Sequence, residues 1–129
     1  MPYNVTIRNR WLDYVLRGTT PAALAMTSNQ CKVKLHTADP GASGTTAEVT
    51  GGSYVSQNAT FSAASSGSSA LSADVPFTGM PATTVTHISI WDTAGTPLFL
   101  GGFALTTSKT VGAGDTFTLT ASGTSGSVT

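Results

Sequence analysis

The stretch from Thr83 to Leu105, TTVTHISIWDTAGTPLFLGGFAL, constrains the fold more than any other part of the chain. Thr84, Thr86, Ile88 and Ile90 alternate with Val85, His87, Ser89 and Trp91, the period of two expected of a strand. Asp92 to Pro97 then collects turn-formers. Asp can bond its own backbone two residues on, Gly95 tolerates positive φ, and Pro97 presets φ. Leu98 to Leu105 follows as an apolar run broken by Gly101 and Gly102, the pattern of a strand covered on both sides. This hairpin is the expected centre of the core, with His87 as a paired strand residue and Trp91 as the last core residue at its rim.

Upstream, residues 5–17, VTIRNRWLDYVLR, carry the one good helical pattern. Ile7, Trp11, Tyr14 and Val15 fall at helical spacing, and Leu12 and Leu16 widen the apolar stripe. Asn4 is placed to cap the start and Gly18 the end, with Pro21 just beyond. Trp11 is expected to pack this helix onto the sheet; the rival reading has it anchoring a partner subunit, where Trp is enriched.

Gln30 to His36 alternates Cys31, Val33 and Leu35 with Lys32, Lys34 and His36, a half-buried strand. Thr37 to Gly44 is a turn-rich loop around Asp39-Pro-Gly41. A short strand at Thr45–Thr50, a strand at Tyr54–Ser62 and another at Leu71–Phe77 follow, the last held to an edge position by Pro76. The Ser/Ala/Gly tract 63–69 reads as flexible and exposed. Thr106 to Thr110 leads into a turn cluster at Val111–Asp115. Phe117, Leu119 and Ala121 then alternate with Thr116, Thr118 and Thr120, and the Ser/Gly/Thr-rich residues 122–129 form an expected loose tail. One helix and about six or seven short strands predict a single domain over 1–129. Its fold class is mainly β: an antiparallel β-sandwich over 30–121, jelly-roll-like or immunoglobulin-like, with one N-terminal α-helix.

Composition narrows the function. Charged residues make up 9% of the chain, against ~25% in an ordinary soluble protein. Thr, Ser, Gly and Ala take up the difference, a composition suited to β-rich proteins that share surfaces with neighbours. The net charge is zero, but residues 1–34 hold five basic and one acidic side chain, and 35–129 hold one basic and five acidic. That polarity points to docking by the basic end, which makes Arg8, Arg10, Trp11 and Arg17 the candidate partner interface. Direct nucleic-acid binding is disfavoured, because no Lys/Arg cluster is interleaved with aromatics.

No chemistry emerges. Asp39, Asp92 and Asp115 sit among turn residues, where Asp bonds backbone. Cys31 is the lone cysteine and is expected to be a buried hydrophobe. His36 and His87 lie on different strands with no ligand spacing, so no metal or cofactor is expected. No G-x-S-x-G elbow and no phosphate loop occurs. The expectation is a protein that is not an enzyme, has no membrane span and no secretory leader, and is assembled in a cytoplasm.

The segments WLDYVLRG, KVKLHTADPGASGTTAEVTGGSYVSQ, TVTHISIWDTAGTPLFLGG and ALTTSKTVGAGDTFTLTA, in this order, resemble a family of small tailed-bacteriophage virion proteins of tail-fibre-like or minor structural type. LHTADPG followed by EVTGGSY is the most specific piece. The resemblance implies a non-catalytic virion component. The short chain without a repetitive shaft favours a capsid decoration or cement protein. Such a protein would bind the major capsid protein and copies of itself, as a trimer, at the capsid surface of the virion. It would stabilise the shell by binding the assembled form alone. The alternative is a tail-fibre or baseplate component in host-surface attachment, presenting Tyr54 or Trp91 to a carbohydrate.

Overall fold

The structure is a computed structural model that describes residues 3–123 and 125–127. Its strands are β1 (Gln30–His36), β2 (Gln57–Thr60), β3 (Ser68–Ala70), β4 (Val75–Phe77), β5 (Thr83–Trp91), β6 (Phe99–Val111), β7 (Phe117–Leu119) and β8 (Ser125–Ser127). They are preceded by the helix α1 (Val5–Arg17). The protein is mainly β, and its strand pairs are antiparallel. One four-stranded sheet has the order β2-β1-β5-β6, and two ribbons pair β4 with β7 and β3 with β8.

The hairpin β5–β6 and its partner β1 are the centre of the sheet, as the apolar run implies. Cys31, Val33 and Leu35 are all buried. Val33 lies opposite Ile90 and Leu35 opposite Ile88, so these side chains share one face. The β4–β7 ribbon contributes the second layer: Val75 pairs with Leu119 and Phe77 with Phe117, all four buried. The Phe77 and Phe117 rings meet edge-on at 6.1 Å, a favoured aromatic geometry. Pro76 sits in a two-stranded ribbon with its side chain exposed, the edge position that its missing N–H demands.

Several elements depart from the sequence reading. A strict period of two would put Val85 and Ile88 on opposite faces, yet both belong to the main core. The ladder breaks between the pairs Val85–Lys109 and His87–Ala104, and a bulge of this kind re-aims the residues on either side. β6 runs on through Thr106–Thr110 to Val111. It is buried on consecutive positions only at Phe99–Gly101, because it forms the sheet edge. There Tyr3 bridges to Gly101 and the Asn4 N–H donates to Leu100 O at 2.7 Å, covering the unpaired edge groups.

The proposed strand at 45–50 reduces to a single bridge between His36 and Glu48. Ser68–Ala70, at the end of the 63–69 tract expected to be flexible, pairs as β3 with Ser125–Ser127 of the expected loose tail. Backbone ladders need no apolar side chains, so composition hides such a pair. Of the tail residues, 124, 128 and 129 lie outside the described residues.

Candidate interaction surface

Two surfaces of the sheet region have distinct chemistry. On the face opposite the main core, residues 37–50 fold back over β1 and β5. Val49 N–H donates to Leu35 O at 2.9 Å, and Thr37 N–H to Ala47 O at 3.0 Å. Pro40 is fully buried, and a Cβ on Gly102 would run into its ring. His36 keeps the face that alternation assigns to it, but this cover buries it completely. The expected half-exposed position is therefore corrected by the loop.

A buried polar chain results. His36 Nδ1 is 2.7 Å from Thr46 O, and its Nε2 is 2.7 Å from Ser89 Oγ. A carbonyl only accepts, so Nδ1 carries the proton. Ser89 then donates its hydroxyl to Nε2 and accepts the indole N–H of Trp91 at 2.8 Å. Burial, the largest influence, lowers the His36 pKa from 6.5, against the Thr46 hydrogen bond and the nearby Glu48, which raise it. The ring is thus held neutral in the state the network needs.

Trp91 is buried against Phe99 at 5.2 Å between ring centres, with Lys34 Nζ 4.7 Å from its ring centre. It is a core residue of this second cluster, as expected. Tyr54 is half-buried and receives the Leu35 N–H at 2.9 Å, and burial pushes its phenol up to about 12. Both aromatics considered for carbohydrate contact are engaged internally.

The acidic side chains also have inward tasks. Asp39 accepts from Gly41 N, Asp92 from Ala94 N and Leu98 N, Asp115 from Gly112 N and Asp74 from Ala121 N. The turn roles expected of Asp39, Asp92 and Asp115 are therefore what the structure shows. Glu48 pairs with Lys34 at 3.3 Å and Asp13 with Arg17 at 3.0 Å. Among the described residues no group of three or more His, Cys, Asp or Glu side chains could hold a metal ion. No described helix is long and apolar enough to cross a membrane. Burial pushes the Cys31 thiol up to about 11, far from the pKa of a reactive thiolate.

The helix is the unusual element. It forms where capping predicts: Asn4 Oδ1 accepts from Thr6 N, and Gly18 closes the end in the left-handed region. None of its residues is buried. Trp11 is 47% exposed and Leu16 75%, so the expectation that Trp11 packs α1 onto the sheet is overturned. The reason is geometric. The chain leaves the sheet edge at Asn4 and is pinned again only where Thr93 N–H donates to Ala25 O at 2.8 Å. Between these points α1 and its return segment project as an arm, braced by Arg10 Nη1 donating to Ala22 O at 3.4 Å.

At 100° per residue Arg10, Asp13 and Arg17 share the polar side, while Arg8 rises from the middle of the apolar side beside Trp11. The four candidate interface residues therefore lie on one arm but on two of its faces. Leu12, Tyr14, Val15 and Leu16, also exposed, are part of the same surface and escaped the sequence reading, which assigned their stripe to the core. Arg8 inside the apolar arc is the signal that the stripe meets something other than a dry interior.

No curated protein matches the chain. Residues 3–127 match the sequence profile of the family described as Podophage GP4 fiber I protein gp80, and the chain belongs to that family of phage fibre-type structural proteins.

Proposed function

We propose that this protein is a tail-fibre component of a podophage virion, with a structural, non-catalytic role in the assembly that contacts the host surface. The observation that carries this reading is the match of a fibre-protein family along residues 3–127. The projecting arm α1, none of whose residues is buried and whose Trp11, Leu12 and Leu16 are exposed, supports it, since a virion component needs a surface that holds it to its neighbours. The capsid-decoration reading, which would bind the major capsid protein, has less behind it, because the matching family is a fibre family and not a head family. Trp91 is buried and Tyr54 half-buried, each with its polar atom bonded inside the fold, so neither lends this reading support as a host-contact residue.

Electron microscopy of the virion, with gold-labelled antibody against this chain, tests the assignment. Label confined to the tail, with few copies per particle, is the expected result. Label spread over the head lattice would replace the fibre reading with decoration.

A further inference from the structure

Between the root of α1 and the loop at residues 39–42 lies an open cleft of about 300 Å³. Tyr3 and Arg8 line it from the α1 side, Asp39 and Ala42 from the loop, and Phe99 and Gly102 from β6. Arg8 and Asp39 are both exposed, and the ion pairs of the described residues are Arg17 with Asp13 and Lys34 with Glu48. Arg8 and Asp39 thus share a cleft without neutralising each other. Among the described residues the Arg8 guanidinium has no hydrogen-bond partner. Asp39 commits Oδ1 to the Gly41 N–H at 2.7 Å, which shapes the loop and leaves Oδ2 for another donor. The Tyr3 ring is held by an edge contact with Phe103 at 5.4 Å and by the bridge to Gly101.

We propose that this cleft binds an acidic saccharide, with the sugar carboxylate on Arg8 and ring hydroxyls on Asp39. The guanidinium offers only donors, in a planar fork that matches a carboxylate. An ionised carboxylate such as Asp39 offers only acceptors, which sugar hydroxyls satisfy. The Tyr3 ring gives the apolar C–H side of the sugar a surface to lie on.

The two charges also reject simpler ligands. A bare cation would meet Arg8 with one carboxylate to hold it, and a phosphate would meet Asp39, so each faces a repulsive element. A ligand with an anionic end and a hydroxylated end satisfies both side chains. The cleft lies at the lower end of the volumes that hold small ligands. It also gives Arg8 a role that fits its place in the apolar arc of α1, because Val5 and Arg8, on the same side of the helix, both border the cleft. The choice of a saccharide over any other hydroxy acid rests on the host-contacting role proposed above.

The test titrates the nitrogen-labelled full chain near neutral pH with sodium glucuronate and follows the amide signals of Gly41, Ala42 and Gly102. Saturable shifts in the millimolar range are expected for a small ligand in an open cleft. Glucose, which lacks the carboxylate, and acetate, which lacks the hydroxyls, are each expected to bind at least tenfold more weakly. Arg8→Gln is expected to weaken glucuronate tenfold or more through loss of a charge-assisted pair. Its urea midpoint should match that of the unaltered chain, because Arg8 has no internal partner to lose. Asp39→Asn keeps an acceptor for Gly41 and is expected to weaken glucuronate severalfold. The proposal is overturned by an absence of saturable shifts with glucuronate, or by glucose or acetate binding as tightly. Binding that survives Arg8→Gln or Asp39→Asn undiminished also overturns it. A negative titration removes the saccharide site and leaves the tail assignment to the antibody label, whereas label on the head removes that assignment whatever the titration gives.

Discussion

His36 Nε2 and Ser89 Oγ, 53 residues apart in sequence, meet at 2.7 Å in the covered face of the sheet. Ser89 Oγ also receives the Trp91 indole N–H, so one hydroxyl satisfies two buried rings. Ser89→Ala leaves the Trp91 N–H and one His36 nitrogen without partners. It is expected to lower stability by about 1–3 kcal/mol for the unsatisfied groups, read as a shift of the urea midpoint at constant slope.

The same histidine makes stability depend on pH. Its folded-state pKa lies below the 6.5 of the unfolded chain, so below 6.5 the unfolded chain binds more protons. The contribution of His36 is present in full above 6.5 and is lost as pH falls through the folded value. The urea midpoint is expected to drop between about pH 7.5 and about pH 5 more in the unaltered protein than in His36→Gln. Equal drops in both would show that the ring is not the cause.

Gly44 has φ +75°, and a Cβ there would fall within the Phe99 ring. Phe99 also packs against Trp91 with its ring tilted, so a shift of the Phe99 ring disturbs that contact. Gly44→Ala is expected to cost about 1–3 kcal/mol through overpacking, with the added penalty of the left-handed backbone. Gly95, where an added Cβ would meet nothing within 4 Å, is the control, and Gly95→Ala should leave the melting temperature nearly unchanged.

Asp92 closes the β5–β6 turn by accepting from Ala94 N at 3.3 Å and Leu98 N at 2.8 Å through one carboxylate oxygen. It is 5% exposed. Asp92→Ala is expected to destabilise by about 1.5–3 kcal/mol, and Asp92→Asn by less, because the amide oxygen still accepts. Thermal unfolding of the two variants should rank them in that order; the reverse order would show that the turn is not held by this acceptor.

Cys31 is buried, with its thiol pushed up to about 11. A thiol reagent at about pH 8 is expected to modify it slowly in the native protein and at the rate of a free thiol in urea. Fast native labelling would mean that the core around β1 opens readily.

Much of this architecture is legible in local pattern. The alternation in β1 marks Cys31, Val33 and Leu35 as core, since a strand must place alternate side chains on opposite faces. Asn4 and Gly18 bound α1 because helix ends leave backbone groups that need caps. Asp39, Asp92 and Asp115 hold turns, as their contexts imply.

What local pattern determines is which side chains share a face; what covers that face is set by residues distant in sequence. His36 lies on the predicted side of β1 and is buried only because residues 37–50 return over it. Val85 joins Ile88 in the core only because a bulge breaks the ladder. The apolar stripe of α1 is as plain in the sequence as that of any core helix. Only the tertiary structure decides that Trp11 faces solvent, because the anchors at Leu100 and Thr93 hold the arm off the sheet. Periodicity records a free-energy preference for burial, and the geometry of the chain decides whether its own body or a neighbour satisfies it.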